Sequence, residues 1–327
     1  MSTNLGGDRS REPAEPAEPA GPAEPALPSG RQFEIGRDGT TAVVTEVGAT
    51  LRQLEIGGRP CLDAFGAGDM PDAGRGQVLM PFPNRVAGGR YRWAGEELQL
   101  PVNELPLGNA AHGLVRWSAW QVRRRAADAI RLGITLHPQD GYPFTLDLTL
   151  TYTVERAGLT VRHTAHNCGR AAAPFGAGFH PYLTAGTRTV DSNLLRLPAA
   201  SYFEADDRLI PTGRADVAGT PFDFREPRPI GNLRLDTGFG DLERDGDGWA
   251  TIALAAPDGG RCVRLLLGPG YDYFQLFTGD PLPEPRRRTG LAVEPYTCAP
   301  DAFNNGLGLI KLEPGHQTAG AWGISVS

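Results

Sequence analysis

The chain has 327 residues, a formal charge of −6 and abundant Gly (43) and Pro (29). A protein that tracks nucleic-acid phosphates needs a basic excess, so this charge balance excludes that class. No run approaches the roughly eighteen apolar residues of a spanning helix, and no basic start followed by an apolar run marks a signal peptide, so neither a membrane nor an export role is expected.

Residues 11–28 read REPAEPAEPAGPAEPALP, an approximate Glu-Pro-Ala repeat. Frequent Pro and Glu with almost no large apolar side chain cannot nucleate a core, so residues 1–30 are expected to be a disordered, polyproline-leaning tail. From residue 31 the pattern is β. The strongest case is Phe144, Leu146, Leu148, Leu150, Tyr152 and Val154, alternating with Thr145, Asp147, Thr149, Thr151 and Thr153. That period of two buries one face and leaves the other polar. Glu155-Arg156-Ala157-Gly158 then has the length and the Gly of a hairpin into a second alternating run, Leu159 to Thr164. Further strand-like runs are 42–47, 114–123, 129–136, 249–255, 261–267, 271–277, 291–294 and 317–325. Gly and Pro fall largely between these runs, and no amphipathic helix of three turns is visible. Many short strands with such turns predict an all-β sandwich or barrel. No seam divides residues 31–327, so they read as one domain.

The four cysteines, Cys61, Cys168, Cys262 and Cys298, form no CxxC pair. They are expected to be free, mostly buried thiols of a cytoplasmic protein. His163 and His166 resemble a metal pair, but three residues along a strand put their side chains on opposite faces, so no metal site is expected. The Gly-rich pieces 74–76 and 238–240 are not strand-loop-helix units, so no phosphate cradle is expected.

Two ionisable residues stand in apolar settings. Glu294 follows Leu291, Ala292 and Val293, just before a Pro/Asp/Asn/Gly turn, and His180 lies among Phe179, Pro181, Tyr182 and Leu183. A carboxylate at the end of a buried strand is costly to desolvate unless something uses it. A carboxylate and an imidazole are together the pair needed to take one proton from a substrate and give another. Asn84-Arg85 sits between two prolines and two glycines, in a loop where the guanidinium can hold a hydroxyl or pair with Glu294. His112 precedes Gly113, which lets the backbone approach closely. Gln275 either lines a pocket or faces solvent on its alternating strand.

Six pieces of the chain, in order, carry a resemblance: PFPNRVAGGRY (81–91), AHGLVRW (111–117), HNCGRAAAPFGAGFHPYL (166–183), LDTGFGDL (235–242), YDYFQLFTG (271–279) and LAVEPYTCAPDAFNNG (291–306). With these the chain resembles the aldose 1-epimerases, or galactose mutarotases. The resemblance implies a large antiparallel β-sandwich, the galactose mutarotase-like supersandwich. It also implies an isomerase that interconverts the α and β anomers of a free hexose without cofactor. It makes Glu294 the base and His180 the acid. It makes Arg85, His112 and an Asp contacts for sugar hydroxyls, with Asn84 a neighbour. The Asp is placed at Asp236, with Asp241 a rival. Phe82, Trp117 and Tyr182 are candidate aromatics against the sugar. The expected partner is a small sugar, with the protein a monomer or homodimer. The alternatives are a hexose-6-phosphate epimerase of the same superfamily, for which Arg286-Arg287-Arg288 are candidate phosphate ligands, and a non-catalytic sugar-binding protein.

Overall fold

The computed structural model of the chain describes residues 26–327. Most of the segment expected as a tail therefore lies outside the described residues. The architecture is an antiparallel β-sandwich built on two large sheets. A nine-stranded sheet runs in the order Gln121–Arg125, Ala129–Leu136, Leu146–Glu155, Gly158–Asn167, Gln317–Val326, Cys262–Leu267, Ala250–Ala255, Leu194–Arg196 and Arg228–Pro229. An eight-stranded sheet runs in the order Pro211–Asp216, Ala199–Ala205, Asp236–Leu242, Tyr273–Phe277, Leu291–Tyr296, Gly178–Phe179 and Val78–Leu79, with Tyr182–Leu183 also paired to Leu291–Tyr296. A four-stranded sheet formed by Gln32–Arg37, Thr40–Thr45, Leu51–Ile56 and Arg59–Pro60 adds to the core.

The alternating run behaves as its period demands. Leu146, Leu148, Leu150, Tyr152 and Val154 are fully buried, while Asp147, Thr151 and Thr153 are not. The hairpin closes with Glu155 opposite Gly158. Tyr152 keeps its buried hydroxyl satisfied by donating to the Ala49 carbonyl at 2.6 Å. The two large sheets meet through aromatics: Phe179 packs on Trp322, with ring centroids 5.1 Å apart. Burial of this kind supplies roughly 25 cal/mol per Å² of apolar surface removed from water, the main force holding the layers together.

The run 114–123 departs from its expected strand. Only Gln121–Arg125 is extended, and the preceding residues form turns in which Ser118 N–H donates to the Val115 carbonyl. Val115 and Trp120 are the buried residues there, and their spacing of five breaks the alternation a strand requires. Among the described residues the α-helix is a single turn, Ala302–Asn305, which follows the strand carrying Glu294. Asp301 just before it accepts from Ala87 N–H at 2.9 Å, and Phe303 packs on Phe82 and Tyr91. These contacts tie the loop after Arg85 to the end of the Glu294 strand.

His112 and Gly113 both lie in the left-handed region, at φ 63° and 71°. A Cβ on Gly113 would fall 2.2 Å from the Met80 carbonyl oxygen, so the bend that presents His112 depends on glycine. Gly113→Ala is expected to cost about 1–3 kcal/mol. The measurement is the urea midpoint, which should fall with the slope unchanged.

Candidate active site

One face of the eight-stranded sheet forms the floor of the site. Across three neighbouring strands, Gly238 pairs with Gln275 and Gln275 with Glu294, so the three stand in a row. Asp236 and Phe277, also paired, sit two residues along on the same face. The opposite face is core, where Phe239 stacks on Phe274 at 5.2 Å and Leu276 is fully buried. Gly238 matters here because a Cβ would come within 3.1 Å of Gln275 Oε1 and 3.2 Å of Phe203, crowding the floor. Above it opens a cleft of ≈ 190 Å³, walled by Ala73, Gly74, Asn84, Arg85, His112, Arg116 and His180.

His180 and Glu294 meet in this cleft, with His180 Nε2 3.4 Å from Glu294 Oε1. They are 4% and 2% exposed. The imidazole lies flat on Tyr182, with centroids 5.2 Å apart and planes 13° apart. Tyr182 in turn carries the Arg75 guanidinium 4.0 Å from its ring and donates its hydroxyl to the Ala73 carbonyl at 3.0 Å. A Cβ on Gly74 would sit 2.6 Å from the His180 ring, so the loop crosses the imidazole only because residue 74 has no side chain. Burial sets the charge of the pair. It pushes Glu294 up to about 8, against the Tyr296 hydrogen bond that favours the carboxylate. It pushes His180 down to about 3, reinforced by Arg75, Arg116 and Arg85. Burial thus disfavours charge on both members, and the pair titrates as a unit that shares one proton.

Arg85, 8% exposed, grips Glu104 with two parallel bonds, Nε to Oε2 and Nη2 to Oε1, both 2.9 Å, and stands 3.8 Å from Asp236. Its carboxylate partner is thus Glu104, not the Glu294 that sequence reasoning offered as an option. Glu104 lies in a loop nineteen residues on, and nothing in its local sequence marks it. Asp236 accepts from Gln275 Nε2 at 2.6 Å, and burial holds its carboxyl above the usual range. Gln275 belongs to the cleft, not to a solvated face. Asp241 is exposed and pairs with Arg214 at the far end of the strand; its φ of 53° takes it out of the strand's alternation, and it is not part of the cleft lining. His112 stands edge-on to His180 at 5.4 Å, its Nδ1 buried without a protein partner. Burial, then His180, Arg116 and Arg85, hold it well below the ordinary histidine value, so it is neutral. Asn84, at φ 52°, caps the Arg85 N–H with its side-chain oxygen at 3.0 Å.

The aromatics are arranged differently from expectation. Phe82 is buried against Phe303, Tyr182 lies behind His180, and Trp117 is 48% exposed outside the cleft lining. Phe277 is the aromatic that lines the cleft. Its place two residues after Gln275 on one strand was the available signal. Arg116, also in the lining, comes from a turn and had none.

Arg286 and Arg288 are engaged elsewhere, Arg286 with Asp63 and Arg288 with Asp191 and Asp280. His163 is buried against the Tyr271 hydroxyl at 2.7 Å, while His166 contacts Cys168 on the other face. All four cysteines are free; Cys61 and Cys298 are buried, Cys262 is partly so and Cys168 is exposed. No helix among the described residues is long and apolar enough to cross a membrane.

The candidate site is thus a buried carboxyl–imidazole pair edged by polar side chains on one face of an antiparallel sandwich. Residues 31–324 match the model of the aldose 1-epimerase family, and the chain belongs to that family. It is 35% identical over 288 residues to the uncharacterized protein YihR of Escherichia coli, covering 88% of this chain and 90% of that one. Galactose mutarotase of Homo sapiens is 29% identical over 229 residues, 64% of this chain and 66% of that one. Among solved structures, an aldose epimerase homologue from C. elegans superposes with a TM-score of 0.80 at 22% identity, covering 91% and 98% of the two chains. Galactose 1-epimerase from Lactobacillus acidophilus gives 0.75 at 21%, covering 90% and 94%. At such identities the structural likeness is one of fold.

Proposed function

We propose that this protein interconverts the α and β anomers of a free hexose such as galactose or glucose, with Glu294 as base and His180 as acid. The observation that carries this reading is the 3.4 Å contact between His180 Nε2 and Glu294 Oε1, buried in a cleft whose lining also includes Asn84, Arg85, His112, Arg116, Asp236 and Gln275. Glu294 takes the proton of the C1 hydroxyl while His180 gives one to the ring oxygen, and the C1–O5 bond breaks. Rotation about C1–C2 presents the other carbonyl face, and the two groups exchange roles on closure. The reactive form is the tautomer with Glu294 ionised and His180 protonated, reached by moving the shared proton between the two. Asp236 and Gln275 on one side, and Arg85 and His112 on the other, supply acceptors and donors for the remaining hydroxyls, and Phe277 offers a ring face to sugar C–H groups. Engagement of Arg286 and Arg288 outside the cleft favours a neutral sugar over a 6-phosphate.

The test is anomer exchange, by polarimetry or NMR, on fresh α-galactose, α-glucose and their 6-phosphates at matched protein concentration. Acceleration of the free hexoses is the expected result, and none for any of them overturns the reading. Asp236→Asn and His112→Asn should each raise KM at least about tenfold with a smaller change in kcat, because these groups bind ground state and transition state alike.

A further inference from the structure

We infer that Tyr296 is a positioning residue, which sets the protonation balance of Glu294 through the hydrogen bond its hydroxyl gives to the carboxylate. The inference rests on the acid–base reading above and deepens it.

Glu294 and Tyr296 lie two residues apart on strand Leu291–Tyr296, so both side chains leave the same face. The Tyr296 hydroxyl donates to Glu294 Oε2, which leaves Oε1 for His180 and for a substrate hydroxyl. Tyr296 is fully buried and is not part of the cleft lining, so it reaches the reaction only through Glu294. Gly178, opposite Tyr296 in the sheet, holds the ring in place: a Cβ there would lie 2.7 Å from it. The other groups bearing on Glu294 are His180 at Oε1, Asp236, which opposes its ionisation, and Arg85, which favours it. Tyr182, stacked behind His180, is the remaining titratable neighbour, and Gln275 on the next strand is neutral.

A donor on a carboxylate oxygen stabilises the anion more than the acid. Within the one-proton state of the pair, it therefore raises the share of molecules in which Glu294 is ionised and His180 carries the proton. Removing it leaves a pH signature of its own. The plateau of kcat falls because the reactive tautomer is rarer. The alkaline limb moves up by the same factor because the shared proton is held more tightly. Above that limb the wild-type and variant curves converge, since the balance between the reactive tautomer and the fully deprotonated pair depends on His180 alone.

Tyr296→Phe is expected to lower the plateau by about ten- to a hundredfold, the range for a hydrogen bond to a charged group. Its alkaline limb should shift upward by about one to two pH units, with KM within about twofold of wild type. A uniform loss of kcat at every pH, with an unmoved limb, overturns the proposal. A readout independent of turnover is the titration of the Glu294 side-chain carbon by ¹³C NMR. An upward shift in Tyr296→Phe supports the proposal even if no tested sugar is turned over, and an unshifted titration overturns it even if the enzyme is active.

Discussion

Glu294→Gln is expected to fold and to lose about 10²–10⁴ of the rate, the typical worth of a general base. Glutamine keeps the shape and still meets His180 and Tyr296, but it cannot take the C1 hydroxyl proton. A variant that keeps more than about a tenth of wild-type kcat removes Glu294 from this role. The same substitution has a stability signature. Burial raises Glu294 to about 8 from an ordinary value of 4.5, so the folded chain holds a proton that the unfolded chain has released. The stability this contributes is complete below the unfolded value and is lost as pH rises through the folded one. Glutamine has no proton to lose. The Tm of Glu294→Gln relative to wild type should therefore rise between about pH 5 and pH 9, by calorimetry at matched ionic strength.

His180→Asn carries the second large effect. It should reduce kcat by about 10²–10⁴ and change the shape of its pH dependence. In wild type the profile is a bell: activity requires one shared proton, is lost when both groups are protonated and is lost again when neither is. These limbs belong to the pair and are not divided between its members. Burial holds His180 down to about 3 and Glu294 up to about 8, so the alkaline limb is release of a proton resting mainly on the carboxyl. Without the imidazole, activity requires only that Glu294 be ionised, and the profile should climb through its titration to a plateau. A persisting alkaline fall in His180→Asn, together with its loss in His112→Asn, would reverse the assignment of the two histidines.

Much of the site was legible because charge in an apolar run is expensive. Glu294 after Leu291-Ala292-Val293, and His180 among aromatics, are conspicuous against their neighbours whatever the fold. The strand of Leu146–Glu155 was equally plain, because ten residues of alternation leave few other ways to bury one face. The run 114–123 misled for the converse reason: its apolar residues suit a strand in composition, yet Val115 and Trp120 are spaced for a turn that buries both.

By itself, the sequence determined that the chain is built from many short β-strands, and it picked out the two proton-transfer candidates, because alternation and desolvation cost are local properties. Tertiary structure decided what each charge pairs with. Arg85 binds Glu104 across a loop, Asp236 rather than Asp241 reaches the cleft, and Arg116 and Phe277 join its lining. It also decided that Tyr296 touches Glu294, and that burial raises Glu294 and lowers His180. These outcomes depend on strand register and on how much water each group loses, and both are set only when distant segments pack together.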